Sequence, residues 1–131
     1  MIDGGLRQLF RKGLPKFHWQ SVESPFTGKG IPDSNYCFNS VEGWVEHKRA
    51  EGTRVKFKVE QIGWHLRRAR AGGRTFIAVR KRTGKIDDLY LYRGRDIKDV
   101  VANGILAKPL FKTSGGFAGW DWAKIERLLA T

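Results

Sequence analysis

The sequence contains a single cysteine, Cys37, so no disulfide can form within the chain. Cys37 and the three histidines do not fall at the spacings of a zinc site, and a lone thiol favours a reducing, cytoplasmic setting. No apolar run reaches the roughly 18 residues of a spanning helix. The N-terminal segment also lacks the apolar stretch of a secretory signal. These absences predict a soluble protein without a membrane partner.

Acidic residues are scarce as well. The chain has 25 Lys and Arg against 13 Asp and Glu, which gives a net charge of +12. No acidic residue occurs from Gln61 to Ile86, and this clustering of positive charge favours a polyanion such as nucleic acid. An anionic membrane is less favoured, because no helix with a large apolar face accompanies the charge. The predicted nucleic-acid contacts are Arg67, Arg68, Arg70, Arg74, Arg80, Lys81 and Arg82.

The hydrophobic pattern of the 131 residues predicts one domain, 1–131, of the α/β class. An amphipathic helix near residues 6–12 precedes strands at 17–23, 31–38 and 41–49, a helix at 60–71, and strands at 75–81 and 88–93. A short helix after Asp96 and a final helix at 122–129 complete the order, with 106–119 as a loop. Residues 54–59 are extended, and their place in the sheet stays open. Short turns favour antiparallel pairing of the first three strands, and the crossover favours one parallel pair, so the sheet is mixed.

Asp33 follows a proline on the second predicted strand, and Glu46, His47 and Lys48 follow on the third. Alternation places Glu46 and Lys48 on one face of their strand, and a hairpin would bring Asp33 beside Glu46. Adjacent carboxylates repel each other unless a proton or a cation lies between them. Mg²⁺ prefers such carboxylates, and a neighbouring lysine can hold a water molecule against a phosphate. These groups are the ones that phosphodiester hydrolysis needs.

Asp33 after Pro32, twelve intervening residues and then Glu46-His47-Lys48 resemble the motif of the PD-(D/E)XK nuclease superfamily. The resemblance covers about two-thirds of the chain. It is strongest to small phage-type members, which are similar to Holliday-junction resolvases and to virus-type replication–repair nuclease domains. It implies a restriction-endonuclease-like three-layer sandwich, with a central mixed β-sheet flanked by helices. In this superfamily a helix, a three-stranded meander, a helix and a strand follow one another in this order. It further implies a Mg²⁺- or Mn²⁺-dependent endonuclease acting on DNA, with branched DNA as the leading substrate and the cytoplasm (of the host, if phage-encoded) as its location.

The resemblance also implies a ligand set for the metal. Asp33 and Glu46 would bind it, together with the backbone carbonyl of His47. The side chain of His47 should point to the opposite face of the strand from Glu46. Many family members carry a further acidic residue on the first helix, but none occurs between Leu6 and Lys16. Glu23 is the nearest substitute and is therefore a candidate ligand.

Two more roles follow from the resemblance. Lys48 would position the attacking water, and Gln61, on the following helix, would support the site. His65 shares a helical stripe with Gln61, and we expect it to be exposed. Trp64 falls off the apolar stripe of the same helix, which makes it the best tryptophan candidate for an interface or a DNA contact.

Other readings remain open. Asp33 alone fits a turn, and Glu46 with Lys48 fits the exposed stripe of an edge strand. The chain would then be a non-catalytic basic nucleic-acid-binding module. An enzyme acting on small nucleotides fits less well, because the positive charge is widely spread and a small substrate needs only a local pocket. A domain of this size covers little DNA, so a homodimer is expected.

Overall fold

A computed structural model describes residues 3–22 and 30–131. Six strands form one sheet in the order β1-β2-β3-β4-β5-β6. Neighbouring strands are antiparallel except for β3 and β4, which are parallel, so the predicted mixed α/β sheet is confirmed. The strands are β1 His18–Ser21, β2 Ser34–Phe38, β3 Val41–Arg49, β4 Thr75–Thr83, β5 Ile86–Arg93 and β6 Phe111–Ser114.

The described residues form five α-helices beside the sheet, and α2 makes the crossover between the parallel strands. In the described part of the chain, no helix is both long and apolar enough to span a bilayer. At the start of the last helix, the Asp121 carboxylate accepts the backbone N–H of Lys124 and so caps the helix. The helices are α1 Leu6–Gly13, α2 Val59–Arg70, α3 Ile97–Asn103, α4 Gly116–Gly119 and α5 Trp122–Ala130.

Two segments correct or complete the predicted order. Residues 106–119 are not a plain loop, since they contain β6 and α4. Phe111 of β6 pairs with Leu91 of β5, so a strand with a weak pattern of its own is fixed by its neighbour. Residues 54–59 stay outside the sheet, apart from one isolated bridge between Glu51 and Arg54.

The sheet buries a hydrophobic core on each face. Alternate residues of β4 point to opposite sides, because a strand has a two-residue period. On one side, Phe76 and Ala78 pack with side chains of α1 and α5. On the other, Ile77 and Val79 pack with α3 and with the apolar stripe of α2. Helices therefore cover both faces, which is compatible with a three-layer sandwich.

A close contact between β3, β2 and α5 holds one end of the sheet. Gly43 of β3 lies under the ring of Tyr36, where an added Cβ would come within 2.3 Å of the Tyr36 hydroxyl oxygen. That hydroxyl donates a buried hydrogen bond of 2.6 Å to the Leu129 carbonyl. Only glycine leaves room for this contact, so Gly43 determines how α5 docks on the sheet.

We expect Gly43→Ala to lower the free energy of unfolding by about 3 kcal/mol, because the added methyl must displace Tyr36 or bend β3. Chemical denaturation followed by circular dichroism measures the change. Glu42→Ala, at the exposed preceding position, is the matched control and should change stability by less than about 0.5 kcal/mol. Equal stability of the two variants would contradict this packing.

Candidate active site

A cavity of about 400 Å³ opens where the start of α1, the start of β2, the end of β3 and the start of α2 converge. A larger cavity of about 650 Å³ lies between residues 53–57 and 101–106, but none of its described lining residues is acidic. The first cavity is therefore the candidate active site, because carboxylates line it. Its lining residues are Asp3, Gly5, Arg7, Gln8, Asp33, Glu46, His47, Lys48, Lys58 and Gln61.

Two carboxylates meet in this cavity, as the sequence predicts. Ser34 pairs with Val45 in the β2–β3 register, so Asp33, one residue earlier, comes next to Glu46. Glu46 is only 5% exposed, and its Oε1 has no hydrogen-bond partner among the described residues. Burial, and then the negative charge of Asp33, raises the pKa of Glu46 to about 8.

His47 holds the other carboxylate in place. Its ring lies on the opposite face of β3 from Glu46, against the ring of Phe10 at a centroid distance of 4.7 Å. Nδ1 of His47 is nevertheless 2.6 Å from Oδ1 of Asp33, and the His47 backbone N–H donates to Oδ2 at 3.0 Å. Burial raises the pKa of Asp33, but the charge and hydrogen bonds of His47 outweigh it and keep that pKa below its ordinary value. The sequence did not reveal this contact, because it depends on Asp33 lying just outside β2.

Lys48 and Gln61 also come together. The Lys48 ammonium donates to Oε1 of Gln61 at 3.0 Å, and the same oxygen accepts the backbone N–H of Lys58 at 2.9 Å. Gln61 is the third residue of α2, a position from which a side chain reaches back to the helix start. Burial lowers the pKa of Lys48, while the carboxylates of Glu46 and Asp33 act in the opposite direction. The lysine is thus fixed beside the two acids.

These residues fit a hard divalent cation. Among the described residues, no group of three or more His, Cys, Asp or Glu side chains forms a cage for a metal. Mg²⁺, however, typically binds through one or two carboxylates and keeps several waters. The unpartnered oxygen of Glu46, buried beside Asp33, is the atom that such an ion would satisfy. Glu23 lies outside the described residues, and the ligand role of the His47 carbonyl stays a prediction.

Asp3 is an acidic residue of the cavity that the sequence analysis missed. It accepts the backbone N–H groups of Gly5 at 2.9 Å and Arg7 at 3.2 Å, and so caps the start of α1. Its charge also contributes, as a small effect, to the raised pKa of Glu46. The N-cap of α1 is Gly5, two residues after Asp3, so the usual N-cap signal does not mark Asp3 in the sequence.

The predicted basic contacts divide into two groups. The guanidinium of Arg80 makes two hydrogen bonds to Asp87, at 2.8 and 2.7 Å, and one to the Gly4 carbonyl. Arg74 donates to two carbonyls of α5, and Lys81 donates to the Gly52 carbonyl. We therefore correct the assignment of Arg80, which is buried and structural. Arg67, Arg68, Arg70 and Arg82 are exposed, and within the described residues none of their side chains makes a hydrogen bond or an ion pair.

His65 is buried, and the expectation that it would be exposed is wrong. Its Nδ1 lies 2.6 Å from the Thr75 hydroxyl, and its Nε2 has no partner among the described residues. Burial, and then the charge of Lys48, lowers the pKa of His65 to about 4. Helix α2 turns the side chain of His65 toward the sheet and not toward solvent, because β3 and β4 lie beneath the helix.

Comparison with known proteins gives no assignment. No protein-family model matches the chain, and no curated protein matches it either.

We expect His65 to make stability fall with acid. Its pKa is near 4 in the fold and about 6.5 when unfolded, so the unfolded state takes up the proton first. Stability from neutral His65 is complete above pH 6.5 and is lost toward pH 4. The loss should be about 3 kcal/mol relative to His65→Asn, which does not titrate. Denaturation at a series of pH values measures it, with His18→Asn, at an exposed histidine, as the control. Parallel pH profiles for wild type and His65→Asn would contradict the prediction.

We expect Glu46 to have the opposite pH dependence. Its raised pKa means that stability is present below pH 4.5 and is lost as the pH rises toward 8, since the charged form is disfavoured in the fold. Glu46→Gln should abolish this loss in EDTA.

Mg²⁺ or Mn²⁺ should raise the melting temperature of the wild type but not of Glu46→Gln. Glu42→Gln, on the same face of β3 but exposed, is the control. If the cation raised the melting temperature of Glu46→Gln as much as that of Glu42→Gln, the ion would bind elsewhere.

Proposed function

We propose that this chain is a metal-dependent endonuclease of the PD-(D/E)XK type that hydrolyses phosphodiester bonds in DNA. The observation that carries the proposal is the burial of Glu46 beside Asp33, with the ammonium of Lys48 fixed in the same open cavity. Ionising both members of a buried carboxyl pair is costly, and such a pair is typical of sites where a cation or a reaction uses it.

The arrangement of the fold supports the same proposal. The order of α1, the three antiparallel strands β1 to β3, α2 and β4 agrees with what the resemblance implies. The two acids lie at the β2–β3 hairpin, and Gln61 follows on α2. This agreement supports the finer description as a restriction-endonuclease-like three-layer sandwich.

Each residue has a distinct task in the proposed reaction. Asp33 and Glu46 would hold the cation, with Asp3 as an additional carboxylate in place of Glu23. When bound, the cation supplies Lewis-acid chemistry and neutralises charge that develops on the phosphate. The Lys48 ammonium, oriented by Gln61, has further N–H groups that can hold the attacking water.

The substrate is proposed from charge and from the resemblance. A protein with a net charge of +12 is attracted to nucleic acid of any sequence. Branched DNA is the preferred substrate in this proposal, and a homodimer would present two sites to two strands. In this proposal the exposed arginines of α2 and Arg82 contact the phosphodiester backbone of the DNA.

Cleavage assays with linear duplex, single-stranded and four-way-junction DNA, in Mg²⁺, Mn²⁺ or EDTA, test the proposal. We expect metal-dependent cleavage, fastest on the junction, and a loss of about 100-fold or more in Lys48→Ala. DNA binding in EDTA should change little. Lys56→Ala removes the same charge from an exposed lysine and is the matched control.

Binding without cleavage of any of these DNAs, or of RNA, with either metal would overturn the nuclease. The chain would then be a non-catalytic nucleic-acid-binding module. Sedimentation of the free protein and of its junction complex determines whether two copies bind together, and a strictly monomeric complex would remove the homodimer from the proposal.

A further inference from the structure

Two tryptophans and an arginine form a cluster beside the cavity, which we name the Trp44–Trp64–Arg68 cluster. The rings of Trp44 on β3 and Trp64 on α2 are 5.5 Å apart between centroids and inclined at 67°. The guanidinium carbon of Arg68 lies 4.7 Å from the Trp64 centroid and 5.7 Å from that of Trp44. Both tryptophans are partly exposed, and Arg68 is exposed.

This cluster differs from the other tryptophans of the protein. Trp19, Trp120 and Trp122 belong to, or pack against, the core between the sheet and α1 with α5. Each of those three donates its indole N–H to a backbone carbonyl. Within residues 3–22 and 30–131, no acceptor is found for the indole N–H of Trp44 or Trp64. Neither ring belongs to either core. Their ring contacts are with each other and, for Trp64, with His65.

The cluster adjoins the catalytic cavity. Trp44 precedes Glu46 by two residues on the same face of β3, which is a separation of about 7 Å along the strand. Trp64 follows Gln61 by three residues, or nearly one turn of α2. A strand whose phosphate lies at Glu46 would therefore pass the cluster within about one nucleotide.

The chemistry of the cluster fits a nucleobase. A ring face and a guanidinium plane both stack on bases, and every base offers such a face. A hollow of about 180 Å³ is bounded by Trp64, Arg67, Arg68 and Ala71, so positive charge for the phosphate lies beside the rings. In a duplex the base faces are already stacked on each other, which leaves an unpaired base as the fitting occupant.

We propose that Trp44, Trp64 and Arg68 form a subsite that stacks an unpaired base of a DNA strand next to the cleaved phosphate. The inference rests on the proposed function for the path of that strand, but stacking needs no cleavage and is measured without it. Such a subsite would direct the enzyme to strands that are open near the cut, as at a junction or a flap.

Binding of a fluorescein-labelled oligothymidylate of about 12 nucleotides, in EDTA, tests the subsite. We expect Trp64→Leu to weaken binding about tenfold, because leucine keeps an apolar volume but has no ring face. Trp64→Tyr should restore most of the affinity. Binding of a duplex of the same length should change less than twofold. Arg127→Ala, at an exposed arginine of α5 that is not a proposed DNA contact, controls for a general loss of charge when compared with Arg68→Ala.

A second measurement separates stacking from structural damage. An abasic spacer placed at each position of the oligonucleotide in turn removes one base and keeps its phosphate. In the wild type one spacer position should weaken binding about tenfold, and Trp64→Leu should be insensitive to that spacer. A 5-iodouracil at that position should photo-crosslink to Trp64 or Trp44.

Loss of single-strand and duplex affinity in equal measure, indifference of the wild type to every spacer, or crosslinks only at other residues would overturn the subsite. Cleavage dependent on Lys48 could still stand after such a result, so the nuclease would survive without the subsite. Base stacking in a protein that never cleaves would instead keep the subsite and remove the nuclease.

Discussion

The repulsion between two neighbouring carboxylates is the constraint around which the cavity is arranged. Burial favours neutral acids, yet Asp33 keeps a lowered pKa because His47 donates to it from both ring and backbone. Burial and the charge of Asp33 disfavour the ionised form of Glu46, so the pKa of Glu46 is raised to about 8. Lys48 supplies partial compensation from the same face of β3. One acid is thus kept charged and its neighbour close to neutral, an asymmetry that a divalent cation would remove.

Strand periodicity made the central part of this site predictable. Glu46 and Lys48 are two residues apart on a strand whose alternation is visible in the sequence, and the short β2–β3 turn brings Asp33 to them. The contact of His47 with Asp33 was not predictable, because it joins two faces at a strand end. His65 was misplaced because a helical stripe with polar residues resembles a solvent face until the sheet beneath it is known. Strand β6 was missed for a similar reason, since its pairing with β5, and not its own pattern, specifies it.

The basic stretch at residues 61–86 has acidic neighbours in the folded protein that its sequence does not reveal. Residues 61–86 contain no acid, but β5 returns antiparallel to β4 and places two aspartates against its end, in the pairs Lys81–Asp88 and Arg82–Asp87. Arg80 is neutralised by Asp87 inside the fold. The positive surface formed by this stretch is consequently smaller than the count of its charges suggests. On α2 its exposed side chains are Arg67, Arg68 and Arg70. That helix also carries Gln61 and Trp64, so it contributes to all three proposed tasks of binding, positioning and stacking, together with Lys48 and Trp44 of β3.

A single oxygen atom, Oε1 of Gln61, accepts hydrogen bonds both from the first turn of α2 and from the ammonium of Lys48. The order of the helix end and the order of the lysine are therefore not independent. Fraying of the first turn, the part of any helix that opens most easily, would release Lys48 at the same moment. Conversely, a strand lying along α2 would suppress that fraying and tighten the lysine. In the proposed nuclease, the position of the Lys48 ammonium would then depend on a local folding equilibrium, in which the first turn of α2 opens and closes.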